Sequence, residues 1–372
     1  MIVGCPREIK NNENRVGLTP AAAHAYVEAG HEVCVERSCG LGSAIGDGEY
    51  AAVGARVVAT AGEVWGRADM IVKVKEPLEV EYGLMRENQV IYTYFHFAAE
   101  ERLLRACLER KIVALAYETV QEGRALPLLK PMSEVAGRMA SLMGAFYLAR
   151  PQGGRGVLPM GVTGVAPAEI LVLGGGVVGA NAARVAGGLE AAVSVLDVNL
   201  ERLGYLSEIL PPNVHCLYND PITLEGKLRS ADIVVGAVLV PGAKAPKLVR
   251  REQLRLMKSG AVLVDVAIDQ GGCFESSRAT THSDPVYAVD GVLHYCVSNM
   301  PGAYARTSTY ALNNATVRWG LELAGKGPER ACRENGALRR GLNVYKGFIT
   351  YGAVAEAFGL GGLYRPADSV IG

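Results

Sequence analysis

The sequence predicts an α/β protein of two Rossmann-like, doubly wound domains with an active-site cleft between them. Three observations predict it. Short β-branched runs alternate with helical patterns from the first residue; the alternation restarts beyond an Ala- and Met-rich segment, Ser133 to Ala149; and the second series opens on a glycine-rich turn. At roughly 150 residues per domain, 372 residues make two. We expect residues 1–128 with 306–372 to form a substrate-binding domain and 129–305 a dinucleotide-binding one.

In the first series, strands are expected at Ile2 to Cys5, Glu32 to Glu36, Arg56 to Ala59, Met70 to Lys75, Val90 to His96 and Ile112 to Glu118. Thr19 ahead of Pro20 has the chemistry of a helix start, and Gly30 that of its stop. Ser133 to Ala149 reads as a long helix, followed by the Gly/Pro-rich stretch Pro151 to Pro167. The second series places strands at Glu169 to Leu173, Val193 to Asp197, His215 to Tyr218, Ile233 to Leu239 and Ala261 to Ile268. Thr307 to Leu323 is helical again. The remaining tail shows no new strand series and is expected to pack back on the first domain.

Lys+Arg and Asp+Glu are both 38, so a formal charge of zero favours neither nucleic acid nor an acidic membrane, and small molecules become the expected partners. The longest uncharged stretch, Gly291 to Ala305, is too short for a membrane helix, which needs roughly 18 residues. The start, Met1 to Glu8, lacks the pattern of a secretory signal, and the chain reads as cytoplasmic. Its eight cysteines form no C-x-x-C pair, so thiols are expected rather than a zinc ribbon. No H-x-x-x-H pair is present; no metal ligand is assigned and metal binding is left open.

Ile170 to Leu173 leads directly into Gly174-Gly175-Gly176-Val177-Val178-Gly179, which fits G-x-G-x-x-G, and a helix follows. Gly174 permits the tight turn, Gly176 lets the backbone approach a pyrophosphate, and Gly179 lets helix and strand pack closely. The next strand ends at Asp197, where a carboxylate accepts hydrogen bonds from a ribose and repels a 2′-phosphate. NAD is therefore expected over NADP unless Arg202 neutralises the pocket. A flavin, or a glycine turn that binds nothing, is the alternative.

A nicotinamide enzyme needs groups that hold the substrate carbon and move protons, because the cofactor does the redox step. Four charged residues sit where an α/β crevice would use them. Lys73 and Lys75 share one face of a strand by period-two alternation, with Lys75 at its carboxyl end ahead of Pro77. His96 ends an aromatic strand and suits acid–base work near neutrality. Arg15 lies in the loop after the first strand and could hold a carboxylate bidentately. Asp269 closes a buried strand before Gly271-Gly272. Taken singly, each also reads as an edge lysine, a core histidine, a surface arginine and a turn-forming aspartate.

Together, Gly4-Cys5-Pro6-Arg7-Glu8 with Arg15, Val72 to Pro77, Tyr94-Phe95-His96, Gly174 to Gly179 and Val264 to Gly272 resemble the alanine dehydrogenase family, in order and spacing, over nearly the whole chain. The resemblance implies that Arg15 and Lys75 bind the carboxylate and carbonyl of pyruvate or alanine, with His96 and Asp269 as acid–base groups. It implies cofactor roles for Ser133, Val177 and Val178 at the phosphates, Asp197 and Arg202 at the adenosine ribose, and Val238 and Leu239 near adenine. Val266, Ala267, Ile268 and Asp269, with Val297, Ser298, Asn299 and Met300, would meet the nicotinamide, and Arg278 also falls at a family cofactor position. The implied reaction is NAD-dependent, reversible conversion of L-alanine to pyruvate and ammonium by a homo-oligomer, often a hexamer. A transhydrogenase component and a non-enzymatic dinucleotide sensor are the rival expectations.

Overall fold

The structure, a computed structural model, describes residues 1–238 and 245–371. The first strands are β1 (Ile2–Cys5), β2 (Glu32–Glu36), β3 (Arg56–Val58), β4 (Met70–Val72), β5 (Val90–Thr93) and β6 (Val113–Ala116). Next come β7 (Glu169–Leu173), β8 (Ala192–Asp197), β9 (Val214–Tyr218), β10 (Ile233–Gly236), β11 (Val262–Asp265), β12 (Val286–Val289) and β13 (Val292–Tyr295). The tail carries β14 (Leu342–Tyr345) and β15 (Phe348–Ile349). The chain divides into two compact units, Met1–Met132 with Tyr304–Gly372, and Ser133–Ala303.

The first unit is an eight-stranded sheet in the order β15-β14-β6-β5-β4-β1-β2-β3. Its strands from β3 to β6 are parallel and stand in the order 3-2-1-4-5-6, the doubly wound arrangement, which reverses between β1 and β4. Crevices for ligands open at the carboxyl ends of strands flanking such a reversal. The short strands are apolar runs because both faces are covered: every residue of β4, β5 and β6 is buried. Thr19 caps the helix Pro20–Glu28 by accepting the Ala22 N–H at 3.2 Å, as its sequence signature requires.

The tail corrects an expectation. It does pack on the first unit, yet it brings two strands of its own: β14 pairs antiparallel with β6, and β15 returns beside β14. The turn between them is Lys346-Gly347, both at positive φ (49° and 96°), the geometry of a two-residue hairpin. The long helix Ala305–Lys326 is tied to the loop after β1. Thr309 Oγ1 accepts the Val16 N–H (3.1 Å), and Asn313 accepts the Thr19 N–H (2.7 Å) while donating to Val16 O (3.3 Å).

The second unit holds seven strands in the order β12-β13-β11-β10-β7-β8-β9. Without the antiparallel edge strand β12 this is again the doubly wound order, with its reversal between β7 and β10. Period-two alternation splits its strand side chains into two cores. Val172, Val195, Val235 and Val264 pack with Ala182 and Ala186 on one face; Leu171, Leu173, Leu196, Val234 and Leu263 form the other. Among the described residues no helix is long and apolar enough to cross a membrane. All eight cysteines are free thiols, seven of them buried.

Candidate functional site

In the first unit the loop after β1 and the segments after β4 and β5 carry the charged residues. The strands are shorter than the sequence suggested, and the reason is local. Glu8 is buried, and its Oε1 accepts the N–H groups of Val74 (2.6 Å) and Lys75 (3.3 Å), so a carboxylate takes donors just beyond the end of β4. Lys73 and Lys75 therefore do not share a strand face. Lys73 is buried between Glu8 (3.2 Å) and Glu81 (3.1 Å). Desolvation works to lower its pKa, but the two carboxylates outweigh that and hold its ammonium protonated. Burial also keeps the Glu8 carboxyl above its usual range, against the pull of Lys73. Lys75 follows, its carbonyl accepting from Thr93 Oγ1 at 3.0 Å.

Arg15 is buried in the loop after β1, as the sequence placed it, but it is not a bare fork. Glu13 spans its Nε (2.7 Å) and Nη2 (2.5 Å), and Met132 Sδ lies 3.1 Å from Nη1. Burial would lower the Arg15 pKa; Glu13 more than offsets it. The same loop is joined to the segment after β4 by an ion pair between Lys10 and Glu76.

His96 stands three residues past the end of β5 rather than in the strand, at φ 50°. Glu118, just after β6, pulls the chain out of the ladder by accepting the N–H groups of Phe95 (3.2 Å) and His96 (2.6 Å). The imidazole is exposed and stacks on Tyr94, with centroids 5.9 Å apart and planes 8° apart. Tyr94 is the common neighbour. Burial raises its pKa and the nearby Arg15 guanidinium opposes the rise; its N–H donates to Val74 O at 3.3 Å. Arg15 and His96 thus both neighbour one tyrosine, whose backbone is bonded to the segment after β4 that carries Lys75.

In the second unit the first glycine turn follows β7. Gly174 has φ 100°, and a Cβ there would fall 2.7 Å from Val238 across the strand-order reversal. A Cβ on Gly179 would fall 1.8 Å from Gly174 O, which makes glycine obligatory where helix and strand touch. Gly176 differs: among the described residues, a Cβ there would meet nothing within 4 Å. Gly176 provides no side-chain cap for the helix Val177–Gly188, whose first return bond runs from Ala180 N–H to Gly176 O. The N–H groups of Val177, Val178 and Gly179 precede any intrahelical acceptor and face an open approach, the elements of an anion site. Asp197, at the end of β8, accepts the Gly175 N–H (2.6 Å) and the Asn199 N–H (2.9 Å). Arg202 donates through Nε to Gly175 O (2.6 Å), so both side chains border the turn.

Ser133 lies on a helix that packs against the helix Val177–Gly188. On the helix Lys130–Leu148, Gly137 is seated on Val178, where a Cβ would fall 2.2 Å from the carbonyl oxygen, and Ser141 donates to Ala182 O at 2.8 Å. Matching steps of four mean that the two helices run side by side in the same direction. Ser133 stands one turn before Gly137 on the same face of its helix. Leu239 lies outside the described residues.

Asp269 is not at the end of β11. That strand stops at Asp265, and Asp269 stands on the 3-10 turn Ile268–Gln270 beyond it. Asp265 is buried and shapes the turn, accepting from Ala267 N–H (3.1 Å), Cys273 N–H (2.9 Å) and Ser277 Oγ (2.5 Å). Burial raises its pKa against those bonds. Asp269 Oδ2 is 3.4 Å from the N–H of Asn299, which sits at φ 61° in the Val297 to Met300 segment after β13, so the two stretches assigned to the nicotinamide end meet here. Arg278 instead lays its guanidinium over the Tyr287 ring, 4.0 Å from the centroid. Glu8, Glu13, Glu118 and Asp265 were missed in the sequence. A carboxylate inside an otherwise apolar strand (Asp265), or two residues from a crevice arginine (Glu13), is the signal that would have found two of them.

Two family models match the chain: "Alanine dehydrogenase/PNT, N-terminal domain" over residues 4–136 and "Alanine dehydrogenase/PNT, C-terminal domain" over 140–352. An alanine dehydrogenase of Methanococcus maripaludis is 53% identical over 373 residues, covering all of both chains. Among solved structures, an L-alanine dehydrogenase superposes with a TM-score of 0.93 at 47% identity, covering 96% of this chain and 99% of that one. A transhydrogenase from Sinorhizobium meliloti follows at 0.81 and 27% identity, covering 95% and 100%.

Proposed function

From the premise that this chain belongs to the alanine dehydrogenase/PNT family, we propose that it catalyses the reversible oxidative deamination of L-alanine with NAD and water, giving pyruvate, ammonium, NADH and a proton. The enzyme is an oxidoreductase acting on a CH–NH2 group. The observation that carries the choice within the family is that Arg15 and His96 both neighbour Tyr94, whose backbone is bonded to the segment carrying Lys75, a set able to hold and protonate a small 2-oxo acid. A dinucleotide carrier alone has no use for it.

The residues present fit NAD. Among the described residues, space for a phosphate lies beside Gly176, the helix end that borders it has no side-chain cap, and Asp197 supplies a carboxylate suited to ribose hydroxyls and averse to a 2′-phosphate. When bound, the nicotinamide accepts or returns the hydride equivalent. The chain does the rest. Glu13 fixes the guanidinium plane, and Arg15 receives the substrate carboxylate, charge against charge. Lys75 polarises the carbonyl oxygen in the amination direction. His96 and Asp269 take and return the protons released as water adds and ammonia leaves. The remaining cofactor residues keep the roles named above for Ser133, Val177, Val178, Arg202, Val238, Leu239, Val266, Ala267, Ile268, Arg278, Val297, Ser298, Asn299 and Met300. The reading includes a cytoplasmic homo-oligomer, a hexamer.

The test is to incubate the purified chain with NAD and a panel of amino acids and to follow NADH. Formation of NADH with L-alanine supports the proposal. Hydride exchange between nicotinamides without alanine turnover would make it a transhydrogenase component, and NADH binding without either reaction a sensor.

A further inference from the structure

We propose that Lys247 is a positioning residue for Asp269: its ammonium gathers the carbonyl oxygens of the turn that follows Asp269 and so fixes where that carboxylate stands. The inference rests on the reading of Asp269 as a proton-transfer group. Lys247 Nζ lies 2.5 Å from Gly271 O, 2.9 Å from Gly272 O and 3.1 Å from Phe274 O. Gly271 and Gly272 are consecutive residues at positive φ, 89° and 77°, and this folds their carbonyls toward one point. Three converging carbonyl oxygens repel one another, and an ammonium with three donors matches them one for one.

The turn is held from its other side by Asp265, which takes its N–H groups; a Cβ on Gly272 would fall 2.6 Å from Asp265 Oδ2. Donors are thus drawn to a carboxylate and acceptors to an ammonium, with Asp269 on the short arc between. The chain that carries Lys247 is itself laced to this turn. Ala245 N–H donates to Gln270 O (3.0 Å), Leu248 N–H to Cys273 O (2.7 Å), and Glu275 N–H returns to Val249 O (3.1 Å). The ammonium is therefore anchored close to what it holds. Without it, water would be left to separate the carbonyls, and the turn would open by bond-scale distances. A misplacement of about 1 Å costs a catalytic group roughly 10² in rate.

The experiment compares Lys247→Met, Lys247→Arg, Asp269→Asn and the Lys247→Met/Asp269→Asn double variant in the full chain. Lys247 is exposed, so its replacement opens no cavity. For Lys247→Met we expect kcat to fall by roughly tenfold to a hundredfold, with pyruvate KM and NADH Kd within about twofold of wild type. Lys247→Arg, which keeps charge and donors, should recover most of the loss. The double variant should be no slower than Asp269→Asn alone, since the lysine acts only through that aspartate. Unchanged kcat in Lys247→Met, or a full additional loss in the double variant, overturns the proposal. So does a loss that moves the thermal midpoint and KM together with kcat and is not recovered by arginine, for that is a merely structural lysine. Wild-type turnover in Asp269→Asn overturns the reading of Asp269 itself, and it is distinguishable because it arises with Lys247 intact.

Discussion

Glu13 reaches two nitrogens of one guanidinium: its Oε1 accepts from Arg15 Nε at 2.7 Å and its Oε2 from Nη2 at 2.5 Å, with both side chains buried. A buried arginine needs such a partner, because removing one member of a buried pair leaves an uncompensated charge. The pairing also fixes the plane of the guanidinium.

Glu13→Gln should therefore raise pyruvate KM by roughly tenfold or more, and Arg15→Lys should do so as well because a single ammonium cannot reproduce the planar fork. NADH affinity, read by fluorescence titration, should stay within about twofold in both. Wild-type pyruvate KM in Arg15→Lys would remove Arg15 from the clamp.

His96→Ala and Asp269→Asn should each lower turnover by roughly 10² or more if they carry protons. His96 owes its position to Glu118, which holds its backbone N–H at 2.6 Å, so the alanine variant keeps the local chain path and tests the imidazole alone. Steady-state kinetics in both directions decide it. Near-wild-type kcat in both variants would exclude proton transfer by this pair.

Asp265 gives a pH dependence whose sign can be worked out. Burial raises its folded pKa, so the native state retains a proton that the unfolded chain has released. The resulting stability is full below the ordinary aspartate range and is lost as pH climbs through the raised value. Urea unfolding between about pH 4 and 7 should show wild-type stability falling relative to Asp265→Asn as pH rises. Wild-type stability that rises relative to Asp265→Asn as pH increases contradicts the assignment.

The two doubly wound series were legible because parallel strands covered on both faces are plain apolar runs and because Thr19-Pro20 and Gly174 to Gly179 are chemically explicit. Strand ends were not. Period-two alternation extended β4 through Lys75, β5 through His96 and β11 through Ile268, whereas Glu8, Glu118 and Asp265 take backbone N–H groups from each neighbouring segment, bonds no local pattern encodes. The β12–β13 hairpin was overlooked although Asp290-Gly291, at φ 50° and 80°, is a strong turn signal, and Lys346-Gly347 hid β14 and β15 because lysine seldom occupies that conformation.

Asp197 borders the glycine turn through its bond to Gly175 N–H. Asp197→Ala should relax the preference for NAD over NADP, because the charge that repels a 2′-phosphate is gone while Arg202 remains beside the turn. The ratio of kcat/KM for the two cofactors is the measurement. An unaltered ratio would place the discrimination elsewhere.

Gly176 and Gly179 separate cofactor binding from folding within one motif. A methyl group on Gly179 would collide with Gly174 O at 1.8 Å, so Gly179→Ala must move the helix Val177–Gly188 away from β7 and lower stability. A methyl on Gly176 meets no atom of the described residues within 4 Å, and φ −62° with ψ −164° is open to alanine. Gly176→Ala should then keep the wild-type thermal midpoint while weakening NADH binding by roughly tenfold or more, since the methyl occupies the approach a pyrophosphate needs. Calorimetric melting and NADH titration on both variants make the comparison. Undiminished NADH affinity in a stable Gly176→Ala protein would mean that the phosphates do not pass over this residue, and the open space beside it would need another explanation.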